Sequence, residues 1–475
     1  MALAIRKAGA DDGSGQMLIA AAVCLVLLLT AGVAHAEPSW ERVLDGPAGG
    51  DDESYRVVAD DSGHSYVCGR HTARNGSSDL VVLKYDLSGE RVWRATFDGE
   101  QGRYDACAGI ALAPGGGVVV TGMAGGRYIM PYQEQFNLDV RHSSDFVTIR
   151  YDSEGEELWR DRFDPSDGSR DLGAAVSVGP SNSAVVAGLS SGDRLHVVSY
   201  NLETGTRNWE TRVDSEDWSL ATLHDRIIDH GADGSIYTVA SRGEGEASEL
   251  AVVKFSPDGD VVWIETVDGE GAVGADAASS VQVGPSGNVH VVGEVADTST
   301  GAQFFVGKFA ASGDRRWTKR IDVHPDADKA EDFRDPEHLV GGGVAVDSAG
   351  DVYAAGYKGT SPVGTDILAM KLAGADGTVL WRESFGTGVG DIGAEVVLGQ
   401  GDGVFVVGST NAGTSRTQFT ALRFRRTDGQ RQWARRWTYP ESVGVAGSGA
   451  VTSDGGIVLS SGLGLSKTEV YDKSA

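Results

Sequence analysis

Basic residues are scarce. The chain has 41 Lys and Arg against 68 Asp and Glu, a formal net charge of −27 at pH 7. Binding to a phosphate backbone draws its affinity from clustered Lys and Arg, so this balance argues against nucleic acid and anionic lipid surfaces as partners. The same acidity favours solubility, self-repulsion and attraction of cations, and is silent on fold. Catalytic signatures are missing too: there is no His-Glu-x-x-His, no Cys-x-x-Cys and no phosphate loop. Two short patterns fail on context. Gly269-Glu270-Gly271-Ala272-Val273-Gly274 has dinucleotide-fingerprint spacing, but it follows a turn and precedes a short strand, where the fingerprint needs a strand before and a helix after. Gly188-Leu189-Ser190-Ser191-Gly192 spells a nucleophile elbow without the strand-to-helix turn that makes one. Proline (12) and methionine (5) are few, glycine (67) is abundant, and 10 Trp and 13 Tyr accompany many valines. That is the composition of a strand core, not of a disordered chain.

Long apolar runs are confined to the first 36 residues. Arg6 and Lys7 precede an apolar stretch from Met17 to Leu29, and Ala34-His35-Ala36 supplies a small-x-small cleavage pattern. Residues 1–36 are therefore read as an export signal, with a mature chain starting at Glu37. An uncleaved anchor is the alternative, since 17–34 reaches the lower limit of about 17 residues for spanning a bilayer. Cys24 lies inside the run with no lipid-attachment context.

From Val57 onward one unit recurs. It has a short apolar strand ending at an Asp-Ser-Gly type turn, a second strand ending in Gly, a variable loop, a third alternating strand, another Asp/Gly turn, and a strand carrying Trp. In the first copy these are Arg56–Asp60, Ser65–Gly69, Asp79–Tyr85 and Arg91–Trp93. Asp, Asn and Gly recur in the turns because a positive φ costs them little. The terminal Trp falls at 40, 93, 159, 209, 263, 317, 381 and 433, at intervals of 53, 66, 50, 54, 54, 64 and 52. Trp40 has no three-strand block before it, and the last block, 449–472, has no Trp after it. The expected architecture is thus an all-β, eight-bladed β-propeller over residues 37–475, one domain of four-stranded repeats. An N-terminal strand around Trp40 closes the last blade near Val470, which removes exposed sheet edges.

Asp347-Ser348-Ala349-Gly350-Asp351-Val352-Tyr353-Ala354-Ala355-Gly356, then Asp366 to Lys371, then Gly377-Thr378-Val379-Leu380-Trp381 resemble the bacterial β-propeller repeat family labelled SBBP. The resemblance runs through essentially all of 37–475. The Gly-x-x-x-Trp ending is also similar to repeats of pyrroloquinoline-quinone dehydrogenases and of the propeller scaffold that assists outer-membrane protein assembly, both with eight blades. These resemblances imply a fold and leave activity open, because unrelated functions share such repeats.

Candidate site residues follow from the repeat frame. An acid recurs just ahead of the first strand, as Asp105, Asp171, Asp225, Asp276 and Asp391. It is either an Asp-capped turn repeated once per blade or a ring of carboxylates forming a cation-binding channel mouth. Two insertions break the spacing, 123–144 with Tyr132, Arg141 and His142, and 322–342 with Asp326, Asp328, Glu331 and Asp332. Strand directions send both over the face of the Asp ring, where a partner could dock on the first and Ca²⁺ could bind the second. Cys68 and Cys107 fall near one face in neighbouring blades, where they can bridge in an oxidising compartment or remain buried thiols.

Three function classes remain. One is a secreted or periplasmic, monomeric, non-catalytic binding or scaffold propeller for a protein or glycan, free of the membrane after signal cleavage. Another is a quinone-dependent dehydrogenase, against which stand the lack of an adjacent cysteine pair and of an Asp base beside a Ca²⁺ site. The last is a hydrolase or lyase using channel-mouth carboxylates.

Overall fold

In a computed structural model of the chain, the residues described are 27–29, 40, 42, 52–99, 103–126, 144–164, 171–190, 194–213, 218–220, 226–243, 248–269, 276–297, 301–322, 342–359, 364–387, 390–410, 418–438, 442–444, 448–453, 456–460 and 463–465. Among them there is no helix, hence none long and apolar enough to cross a membrane. The chain folds into successive antiparallel sheets, each an up-and-down meander. The first has strands Glu53–Ala59, Ser65–Thr72, Ser78–Tyr85 and Arg91–Phe97. Six more follow over 104–163, 172–212, 218–267, 277–322, 344–385 and 392–438. These are the blades of an all-β propeller, and the count is consistent with eight once the last, partial sheet is included.

The burial pattern explains the strand sequences. A middle strand has its own sheet on either side and neighbouring blades against both faces, so it reads as a near-continuous apolar run. Ser65–Thr72 is buried at every position but its last, whereas the outer strand Arg91–Phe97 begins exposed and is fully buried only at Phe97. The second strand of a typical blade needs glycine for another reason. The first strand bulges toward it, with register shifts at Ser54/Arg56, Gly173/Ala175 and Gly393/Glu395. A Cβ on Gly69 would lie 1.9 Å from the Glu53 carbonyl oxygen, and one on Gly408 2.0 Å from that of Ile392.

Tryptophan joins each blade to the next. The indole N–H of Trp93 donates to the Ser153 carbonyl (2.9 Å), Trp159 to Leu202 (2.8 Å), Trp209 to Pro257 (2.9 Å) and Trp381 to Arg426 (3.0 Å). Trp263 and Trp317 bond in the same way to Ala311 and Gly374. Every acceptor lies in the turn between the third and fourth strands of the following blade. The turn glycine sits against the ring: Gly155 has φ +88°, and a Cβ there would meet Trp93 at 2.6 Å. A positive φ and a flat aromatic neighbour thus select glycine together.

Trp40 makes the same contact one blade earlier. Its indole donates to Leu87 O (3.1 Å), its ring stacks on Tyr85 at 5.8 Å, and it belongs to one buried cluster with Val57, Val67 and Val458. It therefore holds the place of an outer-strand Trp in the last blade. Next to it, Ile457–Ser460 pairs with Ser448–Val451 on one side and with Leu27–Leu29 on the other. The N-terminal contribution to the last sheet thus includes three residues of the stretch read as an export signal. Val470 lies outside the described residues. The two ends of the ring also touch directly, through Val57 N–H to Ser448 Oγ (3.4 Å) and Ser460 Oγ to Ser54 Oγ (2.8 Å).

Cys68, on the second strand of the first blade, is disulfide-bonded to Cys107, on the first strand of the second, with Cα atoms 5.8 Å apart. A cross-link over 39 residues restricts the unfolded chain by about 4 kcal/mol on the loop-entropy account. The double variant Cys68→Ser with Cys107→Ser is expected to lose stability of that order in denaturant titration, and the parent should lose it on reduction. Trp40→Ala is expected to cost about 3–5 kcal/mol. Equal melting temperatures of Trp40→Ala and parent would show that this tryptophan does not close the ring.

Candidate functional site

The acids ahead of the first strands are interior groups. Asp105, Asp171 and Asp391 are 0 % exposed and Asp276 2 %. Asp105 accepts backbone N–H bonds from Gly99 and Gly125, both at 2.7 Å, and Asp276 accepts them from Gly269 and Ala296, both at 2.6 Å. Asp391 accepts from the Thr387 amide and, at 2.8 Å, from the Thr387 hydroxyl. Asp171 donates its backbone N–H to Ser144 O (2.8 Å) and accepts the Ser144 hydroxyl at its carbonyl (3.0 Å). In Asp105 and Asp276 the carboxylate thus joins the end of the preceding blade's outer strand to the end of its own blade's second strand. Burial raises the pKa of both, that of Asp276 to about 6, and the backbone donors oppose the shift.

Asp52 belongs with these acids although the sequence reading passed over it. It is 0 % exposed and accepts the Thr72 N–H at 2.7 Å. The available signal is spacing: Asp52, Asp105, Asp171, Asp276 and Asp391 each stand five residues before a buried Val or Ile, namely Val57, Ile110, Val176, Val281 and Val396. Asp225 lies outside the described residues. So do Tyr132, Arg141 and His142 of one insertion and Asp326, Asp328, Glu331 and Asp332 of the other. At the ends of the first insertion, Gly125 and Ser144 bond to the buried acids Asp105 and Asp171.

At two blade junctions the buried Asp is joined by two more carboxylates. Asp79, Asp98 and Asp105 each offer an oxygen within 4.8 Å of the other two, as do Asp145, Asp164 and Asp171. The members come from the start of a third strand, the end of the outer strand and the start of the next blade. Their environments differ. Arg162 pairs with Asp145 in the second cluster, whereas the matching place in the first is Thr96. There His71, opposite Asp79 in the strand register, brings Nε2 to 3.5 Å from Asp79 Oδ2. Burial, then Asp98 and Asp105, push Asp79 up to about 6, and burial with Arg94 pushes His71 down to about 4, so the imidazole is neutral at pH 7.

Charged groups also meet across the ring. Arg226 of the fourth blade reaches Glu395 of the seventh at 3.3 Å. The first strand of the fourth blade is split into Trp218–Ser219 and Ile228–His230, which frees Arg226 from regular pairing. Its carbonyl accepts Val281 N–H at 2.7 Å, and Glu395 accepts Gly449 N–H at 2.7 Å. The axis is thereby crossed by an ion pair. On the first blade Arg70 binds Glu53 (2.9 Å) and the Tyr55 hydroxyl (3.0 Å), and Tyr55 donates to Glu53. Burial and Glu53 push the Tyr55 phenol up.

An all-β propeller with tryptophan-joined blades, buried junction carboxylates and a bridged axis is what the fold and site define. The PQQ_2 family, described as outer membrane protein assembly factor BamB, matches residues 144–363. Comparison with curated proteins returns no match. Among solved structures, the chain is similar to Saccharomyces cerevisiae Sqt1 at 10 % identity, covering 86 % of this chain and 96 % of that one with a TM-score of 0.50. It is also similar to the quinohemoprotein alcohol dehydrogenase from Comamonas testosteroni, at 14 % identity over 87 % and 76 % with a TM-score of 0.49. A europium-containing methanol dehydrogenase gives 12 % over 86 % and 84 %, with a TM-score of 0.48. At such identities the likeness concerns fold alone.

The raised pKa of Asp276 fixes the sign of its pH effect. Its folded value, about 6, lies above the ordinary 3.8, so the folded state binds the extra proton between these values and ionisation there weakens folding. Relative to Asp276→Asn, the parent should gain stability as pH falls from 7 to 4.5, with a flat difference above about pH 6.5. Denaturant titrations over this range check it. A difference that stayed constant, or favoured the variant on acidification, would place this carboxyl in the ordinary range.

Proposed function

We propose that this protein is an exported, non-catalytic β-propeller that serves as a binding or scaffold protein, using the face that carries the two insertions for a protein or glycan partner. The observation that carries the reading is the use already made of its charged groups near the axis. Arg226 and Glu395 bridge the ring, and Asp276 accepts backbone donors with both carboxylate oxygens. A quinone enzyme or a carboxylate hydrolase would need such groups free at the axis, whereas a scaffold needs a rigid ring with variable segments on one face. The match of 144–363 to a family described as an assembly factor is in keeping with this. An SBBP-type repeat throughout 37–475, a signal at 1–36 whose cleavage takes Leu27–Leu29 out of the last sheet, a secreted or periplasmic location and a monomeric state complete the proposal. The Cys68–Cys107 disulfide fits an oxidising compartment.

The test compares the parent with variants in which 127–143, 323–341 or both are replaced by short Gly-Ser linkers. Chemical cross-linking in an extracytoplasmic extract of the native source, read by mass spectrometry, should recover a partner with the parent and at least tenfold less with the double replacement. Undiminished recovery would remove this face from the proposal. Dye-linked alcohol oxidation on adding pyrroloquinoline quinone and Ca²⁺ would replace the scaffold reading by the dehydrogenase.

A further inference from the structure

We propose that Asp79, Asp98 and Asp105, at the junction of the first and second blades, hold one divalent, oxygen-preferring cation of the Ca²⁺ or Mn²⁺ kind, with His71 positioning Asp79. Three carboxylates each bring an oxygen to within 4.8 Å of the others, so that a shift of a few tenths of an ångström lets one ion contact all three at the calcium–oxygen lengths of about 2.3–2.6 Å. Asp105 is already fixed by the Gly99 and Gly125 amides, and a carboxylate oxygen that accepts one N–H keeps a second lone pair for a metal.

Independent support comes from the buried groups behind the carboxylates. His71 is only 3 % exposed, with Nδ1 buried without a partner and Nε2 facing Asp79 Oδ2 at 3.5 Å. Asp79 Oδ1 is likewise buried without a partner. Unsatisfied buried polar atoms are rare, and a place for a bound ion is one of their standard explanations. A cation drawn onto Asp79 would use the idle oxygen and let the imidazole N–H hold the other, the arrangement by which outer groups orient metal ligands. Charge points the same way. Arg94 reaches Asp79 but is shared with Asp52, Arg162 acts on Asp105 while paired with Asp145, and Thr96 stands at the place that matches Arg162, so two shared guanidiniums face three carboxylates. The neighbouring Asp145 cluster carries its own cation and serves as the internal control. The donor set has no thiolate, which favours hard ions over soft ones.

The full chain, freed of metal with EDTA, is titrated with CaCl₂ and with MnCl₂ by calorimetry, and with Tb³⁺ by luminescence. One site per chain is expected. Asp79→Asn and Asp98→Asn should each weaken it at least thirtyfold and His71→Gln about tenfold, in line with the loss of an orienting group. Asp145→Asn should leave it within twofold. The pair Asp326→Ala with Asp328→Ala separates this site from the acidic insertion and should also leave it intact. Should Asp79→Asn fail to fold, the exposed Asp98 carries the test. No binding up to millimolar Ca²⁺ and Mn²⁺, the weak-site range, overturns the proposal. So does binding that persists in Asp98→Asn, or that vanishes only when Asp326 and Asp328 are changed.

Discussion

One contact recurs around the ring, and the rest of the fold is arranged to make it: an outer-strand indole N–H donating to a carbonyl in the hairpin turn of the next blade. It explains three features of the repeat together. The turn must carry glycine because the ring lies where a Cβ would be. The third strand ends in an aromatic because the indole packs on it, as Trp40 on Tyr85, Trp159 on Tyr200 and Trp381 on Phe424. In several blades the third strand also carries a Lys or Arg that reaches the same carbonyl: Lys84 shares Ser153 O with Trp93, and Lys254 shares Ala311 O with Trp263. The acceptor is a carbonyl with two lone pairs, and both are used.

The latch holds blades together at the rim, and the buried aspartates do so nearer the face. Burying a carboxylate is costly unless donors surround it, and two converging backbone amides offset that cost at Asp105 and at Asp276. Such braces draw three chain segments to one point, and any acid on the other two then falls within a few ångströms of the first. The junction clusters follow from this geometry. They differ at one neighbouring position, Arg162 closing one with an ion pair to Asp145 and Thr96 leaving the other without that pair.

The parts of this fold legible in the sequence are those encoded locally. Strand lengths, Asp/Gly turns and the tryptophan period are short-range patterns, and together they disclose a propeller because each repeat writes them again. Ring closure was legible for the same reason, Trp40 being an outer-strand residue without its blade. The candidate site was legible only where it followed the repeat, as at Asp105, Asp171, Asp276 and Asp391. Asp79 and Asp98 give no such sign, since each also reads as an ordinary strand-end polar residue, and only folding joins them to Asp105. Arg226 and Glu395 are 169 positions apart, and they meet because the first strand of the fourth blade breaks, an irregularity that a repeat pattern hides. The pairing of Leu27–Leu29 was masked by hydropathy, because an export signal and a strand draw on the same apolar residues.

The charge balance takes on a sharper meaning once the cations are placed. Net charge alone argues only about solubility and long-range attraction. Here many of the basic side chains are engaged inside the architecture: Lys84, Arg150, Lys254 and Lys308 on turn carbonyls, Arg207 on Asp161 and the Phe163 ring, and Arg226 across the axis. A basic residue spent on a neutral carbonyl cancels no acid nearby. The excess carboxylates are therefore less compensated locally than a count of 41 against 68 implies, and the three that converge at the first junction share Arg94 with Asp52 and Arg162 with Asp145.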